Sequence, residues 1–295
     1  MSYNKNRNGF KSTEYQCLIV DGDKLYPSGE INTIKKLPPG AYTVKQEMSG
    51  RIIIQACNLT CDKIVDLPNS PYNDVITDLK MFLSEDCRQR FKEKELLPKN
   101  NMLLHGRPGF GKSIIVNRVG VEVIDRGGIV LFNPYMGALK EIFKLLDSVQ
   151  PNDNVLVIME ELDEQINQQG EEEFLHILDG ETQKENAIFI ATTNNLHKIP
   201  ERIRRAGRFP VVLEITAPSF EARHHYLTVK MGKEFADNVT PRTEGLSIDQ
   251  LKEIIRLHYC LLKPLDEAIK RASPELSLED YIDIEDEEEE ECNDY

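Results

Sequence analysis

Eight consecutive residues, Gly106-Arg107-Pro108-Gly109-Phe110-Gly111-Lys112-Ser113, match the pattern G-x-x-x-x-G-K-[ST] in full. Glycines at those spacings let successive backbone N–H groups curl round an anion. In that arrangement Lys112 reaches the β- and γ-phosphates of a nucleoside triphosphate such as ATP, and the Ser113 hydroxyl sits on its Mg²⁺ ion. A helix opening at Lys112 aims its positive N-terminus at the same charge. The alternative is a structural Gly-rich turn. Against it, the motif follows apolar Met102-Leu103-Leu104 and precedes a helical pattern, the setting a phosphate cradle needs.

Three further groups of residues could complete a hydrolytic site. Val155-Leu156-Val157-Ile158-Met159 is an apolar run that ends in Glu160 and Glu161. Two carboxylates at a strand end can divide the labour, Glu160 in the metal shell and Glu161 activating water. Read without the Gly-rich loop, the same residues are an ordinary strand and an acidic helix start. Ala191-Thr192-Thr193-Asn194 closes another apolar run, and Asn194 there could orient the γ-phosphate and its water, although an Asn after a strand is often a turn residue. Arg202, Arg204, Arg205 and Arg208 crowd one short segment. They are either a solvated basic face or a source of positive charge for the transition state of a neighbouring copy.

The elements that must position these groups alternate. Asp74 to Lys94 reads as one or two amphipathic helices. Strands are expected at 102–104, 129–132, 155–159 and 187–191, and helices at 112–125, 138–148 and 171–178. Apolar strands alternating with helices imply an α/β fold with a parallel sheet covered on both faces. Strand patterns stop after Pro218, where 220–235, 248–260 and 265–272 read as helices of a smaller domain. Residues 1–70 differ from the rest, with short β-type runs (YQCLIV, AYTVKQE, RIIIQA) and a hairpin signal at Met48-Ser49-Gly50. The expected division is therefore a β-rich N-terminal module at 1–70, an α/β core at 71–216, a helical domain at 217–275 and an acidic tail at 276–295.

Composition narrows the function classes. The formal charge of −14 over 295 residues is concentrated at the C-terminus, where eleven acidic residues and no Lys or Arg lie between Glu279 and Tyr295. The rest of the chain carries a charge near −3, which gives no general basic footprint for nucleic acid. The tail reads as a solvated extension or as a docking or autoinhibitory segment. No apolar run approaches the ~20 residues of a membrane helix, and the polar N-terminus lacks the apolar stretch of a signal peptide. A cytoplasmic protein is expected. Of six cysteines only Cys57 and Cys61 are close, with no second pair to complete a zinc site.

Taken in order, these residues resemble the AAA family of AAA+ ATPases over about residues 72–265. Leu103 to Ser113 is similar to the family's "LLYGPPGTGKT", Leu175 to Gly180 (LHILDG) to "LLNxLDG", and Thr192-Thr193-Asn194 to "ATTN". Arg204 to Phe209 (RRAGRF) resembles "RRPGRF", and Thr243 to Leu251 resembles the "TxGxSxxxL" that opens a lid-domain helix. Phe82-Leu83 and the basic stretch 92–99 resemble the Bcs1-like branch. Three departures stand out. Glu160 replaces the usual Asp, which extends its carboxylate by about one C–C bond, ~1.5 Å. Arg107 and Ala206 each replace a Pro.

The resemblance implies a P-loop NTPase sheet with a helical lid, binding ATP and Mg²⁺ and hydrolysing ATP. It further implies a hexameric or heptameric ring that remodels a protein partner, as a chaperone does. Asn194 falls on the sensor position, and Arg205 and Arg208 fall on the paired arginine fingers. The pore loop would be Asn133-Pro134-Tyr135-Met136-Gly137, with Tyr135 and Met136 either contacting substrate or forming a packed turn. Two other classes remain open on sequence: an ATP-gated oligomeric scaffold with little hydrolysis, and a P-loop ATPase acting with nucleic acid.

Overall fold

The computed structural model describes residues 17–21, 24–28, 35–48, 50–59, 65, 67–68, 71–96, 98–179, 184, 186–205 and 207–273. The expectations for the acidic tail, Cys61 and Ala206 fall outside these residues, as does most of the chain before residue 35. Two units separate, Met1–Leu37 and Pro38–Tyr295. In the first, β1 (Cys17–Asp21) pairs antiparallel with β2 (Lys24–Ser28).

The second unit is built on a seven-stranded sheet. Its strands are β3 (Gly40–Gln46), β4 (Ile52–Cys57), β5 (Met102–His105), β6 (Ile129–Phe132), β7 (Val155–Met159), β8 (Ala187–Thr193) and β9 (Val211–Glu214), in the order β4-β3-β6-β7-β8-β5-β9. All neighbouring pairs run parallel except the β3–β4 hairpin. Successive residues of a strand face opposite sides, and here both sides are apolar. Ile188 and Ile190 of β8 join a core cluster with α1 (Pro71–Phe82) and α3 (Lys112–Asp125). Phe189 between them meets Phe143 of α4 (Met136–Val149), ring edge to face at 6.2 Å. β7 and β8 are buried along their whole length, as strands covered by helices on both faces must be.

The remaining helices end where their sequences stop them. Ser84 caps α2 (Glu85–Glu93) by accepting from the Cys87 N–H, which divides the expected 74–94 helix in two. α5 (Leu162–Gln169) and α6 (Glu171–Asp179) follow β7, and α7 (Glu201–Arg204) follows β8. The expected helix at 220–235 is two, α8 (Phe220–Met231) and α9 (Lys233–Val239), because Gly232 takes φ 90. α10 (Ile248–Ile255) begins at a reciprocal capping box between Ser247 and Gln250 and runs into a π turn over Arg256–Cys260. With α11 (Leu265–Ala272), these helices enclose a second apolar cluster around Leu227, Val239, Leu251 and Ile254.

The structure departs from the expected β-rich module at 1–70. β3 pairs in parallel with β6 through Ala41↔Val130 and Tyr42↔Leu131, so β3 and β4 are strands of the main sheet. The reason lies in β3's apolar residues: Ala41 on one face and Tyr42 and Val44 on the other are all buried, and they need the helix-covered sheet to bury against. Local alternation shows a strand but not its partner, which lies far along the chain.

Candidate nucleotide site

Ligands of open parallel sheets bind beyond the carboxyl ends of the strands. The three strands that carry the motif residues, β7, β8 and β5, are adjacent and in register there, with Met159 opposite Ala191 and Thr193 opposite His105. The loop after β5 leaves the sheet at Gly106. The Ile215 N–H donates to the His105 carbonyl at 2.7 Å, which draws the chain after β9 against the loop. A Cβ on Gly106 would stand 2.2 Å from the Ile215 carbonyl oxygen. Gly111, at φ 100, caps α3, and a Cβ there would touch nothing. Gly106→Ala therefore costs about 1–3 kcal/mol by overpacking besides its backbone strain, whereas Gly111→Ala carries only the left-handed penalty of about 1–2 kcal/mol. Urea unfolding midpoints should rank Gly106→Ala as the less stable variant, and equal losses would show that the Ile215 contact does not matter.

Lys112 is buried, and its Nζ donates to the Gly106 carbonyl and, at 2.9 Å, to that of Arg107. Loss of water pushes its ammonium below the usual lysine range. Such a group gains from an anionic partner. Phe110 anchors the loop by packing on the core cluster, while Arg107, Pro108 and Ser113 are exposed. A Cβ on Gly109 would lie 3.1 Å from Ser247 Oγ, so the loop abuts the start of α10.

Glu160 and Glu161 sit immediately beyond β7. Glu161 is the N-cap of α5 with φ 54, left-handed and unusual for a residue with a side chain. Strain of this kind costs on the order of 1–3 kcal/mol and persists only where surroundings enforce it. Here the Glu161 N–H donates to Thr192 Oγ1 at 3.2 Å, and Thr193 Oγ1 donates to Asp163 at 2.8 Å, tying α5 to the end of β8. The Glu160 N–H donates to Asn133 Oδ1 at 2.8 Å, and the Gln165 amide donates to that oxygen and to the Glu160 carbonyl. The turn thus holds the Glu161 side chain in solvent. Glu160 Oε1, by contrast, is buried with no hydrogen-bond partner. A buried carboxylate oxygen in that state calls for a cation or a proton donor, which fits a metal ligand. Asn194 follows β8 directly and is exposed.

The arginine segment divides. The Arg205 side chain is 65% exposed, its only ion-pair partner among the described residues being Glu201 at 3.6 Å. Arg208 is 19% exposed and engaged with Asp179. The 133–137 segment divides as well. The Tyr135 N–H is tied to the Val44 carbonyl and its ring is partly exposed, but Met136 is fully buried as the first residue of α4, its N–H held by Gln169 Oε1. Met136 is thus a core residue and no pore contact, since the first turn of α4 buries it completely. Sequence reading named Asn133 and Thr192 only in other roles and missed Gln165, as well as Asn101, which accepts from the Phe189 N–H of β8. Their only signal is a polar residue beside an apolar strand, which is common in any turn.

Residues 102–217 match the model of the "ATPase family associated with various cellular activities (AAA)". The chain carries an AAA ATPase domain. With that domain comes the machinery of an ATP hydrolase. Over 210 residues the chain is 28% identical to a cell division cycle protein 48 homolog of Archaeoglobus fulgidus, covering 64% of this chain and 28% of the relative. It is 28% identical over 219 residues to a proteasome-activating nucleotidase of Aeropyrum pernix, covering 65% and 51%. An ATPase family gene 2 protein of Schizosaccharomyces pombe is 26% identical over 214 residues, covering 62% and 26%. The chain thus spans about half or less of the length of these relatives. No described helix is long and apolar enough to cross a membrane, and among the described residues no three His, Cys, Asp or Glu side chains gather to hold a metal ion between them.

Proposed function

We propose that this chain hydrolyses ATP at a site completed by a second copy of itself, and uses the cycle to remodel a protein partner in a ring. The observation that carries the reading is a buried lysine beyond β5 set with a buried unpartnered carboxylate oxygen and a strained, outward glutamate beyond β7, at strand ends on either side of β8. Lys112 and backbone N–H groups of the loop from Gly109 to Ser113 hold the β- and γ-phosphates. Ser113 and Glu160 are the residues to hold Mg²⁺, which when bound neutralises phosphate charge. Glu161 accepts the proton of the attacking water, whose oxygen bonds to the γ-phosphorus as the β–γ bridging oxygen departs with ADP. Asn194 orients that water, and an arginine from the neighbouring copy offsets the charge that develops.

The protein-substrate reading draws on relatives named for activating a proteasome and on exposed Tyr135. The helices after Pro218 act as the lid, with Ser247 beside Gly109. The likeness of Phe82-Leu83 and the basic stretch 92–99 to the Bcs1-like branch supports reading the chain as related to it. A cytoplasmic setting suits the unbridged Cys57, Cys87 and Cys260. The test is calorimetry with MgATP alongside steady-state phosphate release. The wild type should bind saturably and turn over, and Lys112→Ala should lose both. Wild-type protein that binds no MgATP would overturn the reading.

A further inference from the structure

Arg205 and Arg208 are three residues apart but have different surroundings. All three guanidinium nitrogens of Arg208 are used within its own subunit. Nε and Nη2 grip the two carboxylate oxygens of Asp179, Nη2 to Oδ2 at 2.7 Å, and Nη1 donates to the Arg202 carbonyl. The pairing holds the Asp179 carboxyl below its ordinary range and raises Arg208 above its own. Two further side chains fix the same stretch. Lys99 Nζ bridges the Leu178 carbonyl (3.1 Å) and the Gly207 carbonyl (3.0 Å), joining the end of α6 to the arginine segment. Asn101, fully buried, donates to the Arg208 carbonyl at 2.7 Å and accepts from the Phe189 N–H of β8 at 3.0 Å. The Arg208 and Phe209 N–H groups both donate to the Arg205 carbonyl. Whatever fixes Arg208 therefore fixes the backbone of Arg205, whose own side chain faces solvent.

We propose that Arg208 stays within its own subunit as a positioning residue: with Asp179, Lys99 and Asn101 it forms a brace that presents Arg205, and Arg205 alone enters the neighbouring copy's site. For Arg208 to serve in trans it would have to abandon a bidentate ion pair and a carbonyl, the strongest class of side-chain hydrogen bond. Arg205 gives up one long contact with an exposed glutamate. A group displaced by about 1 Å from its working position can lose ~10²-fold in rate, which is the scale on which a brace matters.

The inference rests on the ATPase reading, and turnover of Asp179→Ala, Arg208→Ala and the double variant tests it. Each single variant should lose about 10- to 100-fold in kcat, with KM for ATP within about twofold of wild type. The double variant should be no slower than Arg208→Ala. In an Arg205→Ala background, Asp179→Ala should add nothing. Circular dichroism and the melting temperature establish that each variant is folded. Asp179→Asn, which keeps the shape and removes the charge, replaces Asp179→Ala if the latter does not fold. Wild-type turnover in the Asp179 variant beside a loss in Arg208→Ala as large as that of Arg205→Ala would overturn the brace and make Arg208 a second finger. A wild-type protein without turnover would indict the ATPase reading instead.

Discussion

Glu161→Gln binds MgATP as tightly as the wild type and releases phosphate about 10²- to 10⁴-fold more slowly, the range of a general base removed. The substitution isolates the chemistry because glutamine keeps the shape. The backbone N–H that Thr192 accepts is unaffected, as is the position at the head of α5. Only the basic oxygen goes. Positive φ sharpens the case: a residue free to choose would leave that region, and glycine is the residue that sits there at least cost. Glu161→Gly should therefore fold at least as stably as the wild type while remaining inactive, a combination that marks strain held for function. Single-turnover phosphate release, with calorimetry to verify binding, gives the answer. A glutamine variant with wild-type turnover would remove Glu161 from the reaction.

Arg205→Ala should lose about 10³- to 10⁵-fold in kcat, the magnitude associated with an arginine supplied to a phosphoryl-transfer transition state. The loss should be repairable by a copy that is itself inactive. Lys112→Ala subunits have a broken phosphate loop but intact arginines. Arg205→Ala subunits have the converse defect. Mixed assemblies should recover activity at seams where an intact Lys112 meets an intact Arg205, and wild-type specific activity should climb with protein concentration. No recovery at any mixing ratio, together with a specific activity unchanged on dilution, would mean that no residue crosses between copies.

What could be read in advance depended on the distance over which each feature is encoded. The loop from Gly106 to Ser113 is local: glycine spacing, a lysine and a hydroxyl specify it, and the strand before and the helix after are visible as apolar runs. The alternation from β5 to β8 was legible for the same reason. Membership of β3 in the sheet was not, because a parallel partner such as β6 leaves no trace in β3's own pattern. Neighbouring residues with opposite fates were equally opaque. Tyr135 and Met136 look alike as large side chains after a proline, and only the first turn of α4 sends one to solvent and the other inward. Arg205 and Arg208 read as a pair until Asp179, distant in sequence, claims one of them. The strain at Glu161 is similarly invisible in a string of letters, since the residue type gives no warning of its φ.

The ladder joining β3 to β6 also bears on where a working fragment can begin. A piece cut to the AAA match at residue 102 would strip a hydrogen-bonded neighbour from β6, laying open one flank of Ile129 to Phe132. The Val44 carbonyl that steadies Tyr135 would go with it. Bare strand flanks recruit other chains, so such a truncation invites clumping in place of assembly. A working piece is therefore expected to start near Pro38, where the second unit begins, so that β3 stays beside β6.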